Sequence, residues 1–237
     1  MGPIHIKAKK GEVAERVVIA GDPARVEQLA EMLENVKLVN KNRGLIVYTG
    51  TYKGVPISIA MHGIGAPSAG LVVEELIMLG AKAVLRLGSC GAMIKSLKIG
   101  DVVIPTSAAY YPGGFFHQYL KEAVCVAPAP HFELLKILVE ETNKVGLKYV
   151  LGPIISSDAF YAEDPEFVNK WTSRGIIAVE MECAALFMLG TMRKIKTAAL
   201  LLVSDSLVEE LGFASAEELK PYVEKASIAV FETLIKT

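Results

Sequence analysis

Runs of aliphatic, often β-branched residues that stop abruptly at glycine and polar residues set the rhythm of this chain. Val17-Val18-Ile19-Ala20 breaks into Gly21-Asp22-Pro23-Ala24-Arg25, and Ala83-Val84-Leu85 into Arg86-Leu87-Gly88-Ser89-Cys90-Gly91. Ile176-Ile177-Ala178-Val179 breaks into Glu180-Met181-Glu182, and Leu200-Leu201-Leu202-Val203 into Ser204-Asp205. Continuous apolar runs of this length predict strands buried on both faces. In open α/β sheets, ligands sit beyond the carboxyl ends of such strands, where loops and helix N-termini converge. The four endings therefore mark a candidate site.

The pattern predicts strands at Arg16–Ala20, Ile46–Tyr52, Val55–His62, Ala83–Leu87, Asp101–Pro105, Tyr149–Ser156, Ile177–Glu180 and Thr197–Ser204. Helical patterns lie between many of them: Arg25–Leu33, Pro67–Leu79, His131–Lys144, Pro165–Arg174, Glu182–Met192 and a last helix from about Ala216. Pro165 suits a first helical turn, where a missing N–H costs nothing. Alternation of strands and helices predicts a mixed, mostly parallel sheet covered on both faces. The runs either side of Lys53-Gly54 form an antiparallel hairpin in this reading. The expected fold is α/β, a three-layer α/β/α sandwich, with residues 1–237 as one domain because no linker, repeat or low-complexity tract divides them.

Charge narrows the partners. The 25 basic and 26 acidic residues leave a net charge of -1, which gives no reason to expect nucleic acid or a membrane surface. No apolar stretch approaches the roughly 20 residues needed to span a bilayer, and the segment Met1 to Lys7 lacks a signal-peptide core. A cytoplasmic protein with a small-molecule ligand is expected. Cys90, Cys125 and Cys183 have no metal-ligand spacing and read as small buried residues; no metal site is expected. Hydrophobic residues make up 52% of the chain and the mean hydropathy is +0.39. Apolar surface beyond what one core hides is usually covered by a partner, so a homo-oligomer is expected.

The candidate chemistry sits at the strand ends. Gly21 to Arg25 opens a helix, so backbone N–H groups and a guanidinium can face one anion. Arg86 interrupts an apolar strand where an unpaired charge is costly, and two arginines at neighbouring strand ends suit a phosphate. Gly63-Ile64-Gly65-Ala66-Pro67-Ser68 lacks the third glycine of a dinucleotide fingerprint and reads as a tight turn launching a helix. Glu180 and Glu182 can accept from the vicinal hydroxyls of a ribose, or complement a helix N-terminus. Asp205 reads either as a helix N-cap or as a general acid near a leaving group. His62, His117 and His131 read as surface or satisfied core histidines, and Glu209-Glu210 with Glu217-Glu218 as a solvated helical face.

Taken together, His5, the Gly21 to Arg25 turn, Arg43 before Thr49 to Gly54, the Gly63 to Leu76 segment, Arg86 to Gly91, Glu180 to Glu182 and Ser204-Asp205 resemble the hexameric purine nucleoside and uridine phosphorylase family. The stretch Asp158-Ala159-Phe160-Tyr161-Ala162-Glu163-Asp164 is most similar to the archaeal-type 5′-methylthioadenosine phosphorylases. The resemblance runs from residue 5 to about 206. It implies a phosphate site of Gly21, Arg25, Arg86 and Ser89, with Arg43 from a neighbouring subunit. It further implies ribose contacts from Glu180, Met181 and Glu182, with the neighbour's His5 near the 5′ position. Phe160 would stack on the base, Cys90 and Gly91 would line its pocket, and Ser204 and Asp205 would address its imidazole edge as the catalytic pair.

The implied reaction is attack of inorganic phosphate on C1′ of a purine nucleoside, with phosphate as co-substrate and no cofactor. The implied assembly is a homohexamer, a trimer of dimers with shared active sites. Uridine phosphorylases present a glutamine and an arginine to uracil after the base-stacking aromatic, which this chain does not. Purine enzymes of the type carry an arginine a little beyond the Ser-Asp pair; no arginine follows Arg193 here. The rival readings are a uridine phosphorylase, a hydrolytic purine nucleosidase, and a nucleoside-binding sensor without turnover.

Overall fold

Strand β1 (Arg16–Ala20) lies at the middle of the sheet, with every residue after Arg16 buried. Its alternate side chains enter two different cores, as the two-residue period of a strand requires. Val17 and Ile19 join one cluster with Val84, the helix α2 (Ala66–Leu79) and the helix α6 (Cys183–Arg193). Val18 and Ala20 join the other, with Leu85, Leu87 and the helices α1 (Pro23–Glu31), α4 (Phe132–Lys144) and α7 (Ala216–Ile235). Two helical layers thus cover the two faces of the sheet. The computed structural model describes residues 2–162, 164–209 and 212–237; Glu163 and Glu210, both named above, lie outside the described residues.

The sheet contains β2 (Glu34–Asn40), β3 (Val47–Tyr52), β4 (Val55–Met61), β5 (Ala83–Ala92), β6 (Val102–Tyr110), β7 (Tyr149–Ser156), β8 (Ala178–Glu180) and β9 (Lys196–Ser206) beside β1. Its order is β2-β3-β4-β1-β5-β8-β7-β6-β9. The pairs β1–β4, β1–β5, β5–β9, β6–β7 and β7–β8 are parallel, and β2–β3, β3–β4, β5–β8 and β6–β9 antiparallel. The sheet is mixed as expected, with the β3–β4 hairpin in place. Because β9 pairs with both β6 and β5, the strands β5, β8, β7, β6 and β9 close into a ring. Ring closure sets Asp205 of β9 opposite Gly91 of β5.

The structure also departs from the expected elements. β2 and the short helix α3 (Gly114–Leu120) were not expected. β5 runs five residues beyond Leu87 and β6 five beyond Pro105. The helix expected from Pro165 is shorter, α5 (Phe167–Thr172), and Pro165 lies in the turn before it. Cys90 and Cys183 are buried, but Cys125 is exposed and corrects the reading of all three as buried residues. Among the described residues no helix is long and apolar enough to cross a membrane, and no group of side chains could hold a metal ion.

Candidate active site

Arg86 lies mid-strand in β5 with 5% of its surface exposed. Its side chain folds back along its own strand over Gly88, in space that any side chain at that position would fill. Glycine is thus required for the guanidinium to reach the end of the sheet. There Nη2 donates to Glu182 Oε2 and lies 3.5 Å from Glu180 Oε2. Its Nε and Nη1 have no hydrogen-bond partner among the described residues. Burial opposes the charge on Arg86, but the two glutamates outweigh it and hold the guanidinium firmly protonated.

The turn after β1 brings a second cation to the same place. Asp22 caps α1, accepting from the Ala24 N–H at 3.0 Å, and this sets Arg25 one turn into the helix with its Nη1 3.5 Å from the Leu87 carbonyl. Burial lowers the Arg25 pKa; Asp22 opposes that shift, and the neighbouring Arg86 adds to it. Two converging guanidiniums in one cavity make a site for an anion bearing several oxygens.

The two glutamates divide their tasks. Glu180 accepts at Oε1 from the Ser156 hydroxyl and from the Cys183 N–H at 3.0 Å, and at Oε2 from the N–H groups of Glu182 and Cys183 at 2.8 and 2.9 Å. It thus satisfies the orphan donors at the start of α6. Glu182 Oε1 accepts from the Gly65 N–H at 2.6 Å, while Oε2 meets Arg86. Each oxygen of Glu182 retains a lone pair for a hydroxyl donor. Burial works against charge on both carboxyls. It keeps Glu180 raised, whereas Arg86 overcomes it at Glu182 and holds that group below the usual carboxylate range.

These groups line a cavity of about 1000 Å³ that also contains Gly21, Ser89, Cys90, Gly91, Phe160, Met181, Ser204 and Asp205. The Arg86 guanidinium lies over Gly88, and from there to Gly91, at about 3.3 Å per residue, β5 covers roughly 10 Å. Asp205 stands at the far end. It belongs to β9 and is not an N-cap. Ser204 Oγ lies 2.8 Å from Asp205 Oδ1 and 3.4 Å from the Cys90 carbonyl. Burial pushes the Asp205 carboxyl up, against the Ser204 hydrogen bond that lowers it. Burial also pushes the Cys90 thiol up, so it stays protonated.

His5 and Arg43 do not line this cavity. His5 Nδ1 is 2.7 Å from Glu75 Oε1, and the same carboxylate accepts from the N–H groups of Ile4, His5 and Ile6. Arg43 is exposed with a positive φ of 57°. Its neighbour Asn42 donates to the His5 carbonyl at 2.9 Å, so the two residues share one surface patch. Sequence reasoning missed the apolar lining from Met61, Ile64, Val179, Leu207, Phe213 and Leu219. Phe213 is 64% exposed and its ring centroid lies 6.0 Å from that of Phe160; an aromatic in a loop was the available signal.

His62 corrects another expectation. It is fully buried, yet neither ring nitrogen has a partner among the described residues. Burial, with Arg86 next in effect, lowers its pKa to about 4, so the ring is neutral at neutral pH. His117 is exposed, and His131 Nδ1 is also buried without a partner. Of the acidic run, Glu209 pairs with Lys98 outside any helix, while Glu217 and Glu218 lie in the first turn of α7.

The comparisons with known proteins agree with this geometry. Residues 15–236 match the sequence model of the phosphorylase superfamily. A DeoD-type purine nucleoside phosphorylase of Caldanaerobacter subterraneus subsp. tengcongensis is 37% identical over 229 residues, covering 96% of this chain and 98% of that protein. A Bacillus cereus protein of the same description is 36% identical, covering 96% of this chain and 97% of its own length. The crystal structure of uridine phosphorylase from Vibrio fischeri ES114 superimposes with a TM-score of 0.86 at 29% identity, covering 100% of this chain and 98% of that one. The chain belongs to the phosphorylase superfamily, as an enzyme of the nucleoside phosphorylase family.

Proposed function

We propose that this enzyme cleaves purine nucleosides, 5′-methylthioadenosine among them, with inorganic phosphate. The products are the free base and a ribose or 5-methylthioribose 1-phosphate, formed with inversion at C1′. The observation that carries this reading is the convergence of the buried Arg86 guanidinium and Arg25 beside Ser89 in one cavity. A phosphate can accept from both guanidiniums, whereas a hydrolase acting with water has no use for a polyanion clamp. No metal or organic cofactor takes part, and the enzyme acts in the cytoplasm.

In the proposed pose, Gly21, Arg25, Arg86 and Ser89 hold phosphate, and Glu182 with Met181 holds the ribose diol. Glu180 supports them by fixing the start of α6. Phe160 packs on the base, above Cys90 and Gly91. Glycosidic cleavage passes through an oxocarbenium-like transition state; the bound phosphate is both its nucleophile and its counter-charge. Asp205, held by Ser204, gives a proton to N7 so that the base departs neutral. The purine names of the 36–37% identical relatives support this base class, and among the described residues no glutamine lines the cavity to read uracil. Met61, Ile64 and Met181 give the cavity apolar lining suited to a methylthio group. Base should be released from methylthioadenosine and adenosine only when phosphate is present; release at the same rate without phosphate would contradict the reading.

The proposed assembly is a homohexamer, a trimer of dimers, in which the patch carrying His5 and Arg43 completes a neighbour's cavity. An Arg43→Ala chain and an Arg86→Ala chain, each poorly active, should regain activity when co-assembled, because one site of each mixed dimer then holds both native arginines. Verified mixed oligomers without recovered activity would remove Arg43 from the site.

A further inference from the structure

We propose that buried His62 is a positioning residue for Arg86: its ring accepts from the inner edge of the guanidinium, directly or across one water, and so aims the outer edge at phosphate. This rests on the reading above, in which Arg86 binds that anion.

The placement follows from register. β4 and β5 flank β1 in parallel, with Ile19 opposite both Ala60 and Arg86, and the His62 N–H continues the ladder by donating to the Ala20 carbonyl at 2.9 Å. Side chains two residues apart share a face of a sheet, so His62 stands on the face of Ala60, Ile19 and Arg86. Two residues beyond Ile19 and Arg86 come Gly21 and Gly88, on adjacent strands and hence roughly 5 Å apart. The space over these glycines is filled from both sides. The His62 ring leans over Gly21, its Cε1 3.3 Å from where a side chain there would begin, and the Arg86 guanidinium lies over Gly88 with Nη1 nearest. Cε1 sits between the two ring nitrogens, so the edge that carries both is turned over β1 toward Arg86.

Hydrogen-bonding capacity matches as well. Arg86 directs Nη2 to the glutamates, while Nε and Nη1 are buried without a partner among the described residues, as are both nitrogens of His62. Unmatched buried groups are costly. A neutral imidazole has one donor and one acceptor; the Gly63 carbonyl, also over Gly21, suits the donor, and the guanidinium supplies what the acceptor needs. The charged groups around the ring are Arg86 of β5, Arg25 of α1 and Glu182 at the start of α6. Burial and the two arginines favour the neutral ring against Glu182, and only the neutral ring can accept.

The test measures KM for phosphate, kcat and nucleoside affinity without phosphate in His62→Leu and His62→Gln, with a thermal melt of each. His62→Leu removes the acceptor and should raise KM for phosphate about 10-fold or more, the effect of losing one hydrogen bond to a charged group, while nucleoside affinity changes far less. His62→Gln keeps an acceptor and should recover most of the phosphate KM, even where its melting temperature stays low. In 15N-histidine spectra of the unaltered enzyme at pH 7, His62 should be neutral, with one bare nitrogen that shifts when phosphate is added. Single replacement of His5, His117 and His131 assigns its signals by elimination, whether or not the His62 variants fold. Unchanged phosphate KM in a folded His62→Leu, or a His62 ring that is charged at pH 7 or unmoved by saturating phosphate, would overturn the inference. Equal losses of kcat, phosphate KM and nucleoside affinity in both variants would overturn it in favour of a packing role. An Arg86→Ala enzyme with unchanged KM for phosphate would instead overturn the reading of Arg86 on which the inference depends.

Discussion

Asp205→Asn is expected to slow base release from adenosine or methylthioadenosine by about 10²–10⁴-fold, the range of general-acid effects, and to slow a 7-methylated purine nucleoside far less. The methylated imidazole ring already carries positive charge, so its base departs neutral without a proton from the enzyme. The half-buried setting of Asp205 against Leu207, Val179 and Phe213 raises its carboxyl and favours the acid form that such a role requires. Asparagine preserves shape and hydrogen bonding to Ser204, so the fold should survive, which a thermal melt checks. The unaltered enzyme must also accept the methylated substrate. Equal losses for both substrates would mean that Asp205 positions the base and another group supplies the proton.

Arg86→Ala should reduce kcat/KM for phosphate by about 10- to 1000-fold or more. A single hydrogen bond to a charged group is worth about 1.5–3 kcal/mol, and truncating one member of a buried charge pair costs 2–5. Nucleoside binding measured without phosphate should change much less, because the Gly65 N–H still fixes Glu182. Stability should fall as well. Glu180 and Glu182 lose their buried counter-charge, a change that typically costs about 3–5 kcal/mol. Arg86→Lys separates the two effects: it restores a charge beside the glutamates but offers phosphate a point charge in place of a planar fork. Its stability should recover more than its use of phosphate. An Arg86→Ala enzyme with unchanged KM for phosphate and unchanged kcat would remove Arg86 from the phosphate site.

The strand ends were legible because polar residues interrupt runs that are buried on both faces. Val17 to Ala20 and Leu200 to Val203 have no exposed face, so their patterns end where their function begins. β2, Glu-Asn-Val-Lys-Leu-Val-Asn, is an edge strand exposed along most of its length, and such a strand carries no burial pattern to read. β5 was expected to stop at Leu87 because Gly88 to Gly91 resembles a turn. Pairing with β8 and β9 keeps that segment extended, and its glycines make room for Arg86 and Asp205. Polar site residues were thus visible in sequence, but the apolar wall of Val179, Leu207, Phe213 and Leu219 was not. Val179 and Leu207 resemble any other core positions until ring closure sets them beside Gly91, and Leu219 lies on a helix far along the chain from the strand ends. The unmatched nitrogens of His62 likewise follow from three-dimensional neighbours that no local spacing reveals.

The source of the oxygen added at C1′ tests the central claim most directly. Methylthioadenosine or adenosine is turned over in heavy-oxygen water with ordinary phosphate, and the sugar product is examined by mass spectrometry. Phosphorolysis predicts an α-sugar 1-phosphate that carries no heavy oxygen and forms in step with the free base. A free sugar bearing heavy oxygen at C1′, formed whether or not phosphate is present, would contradict it.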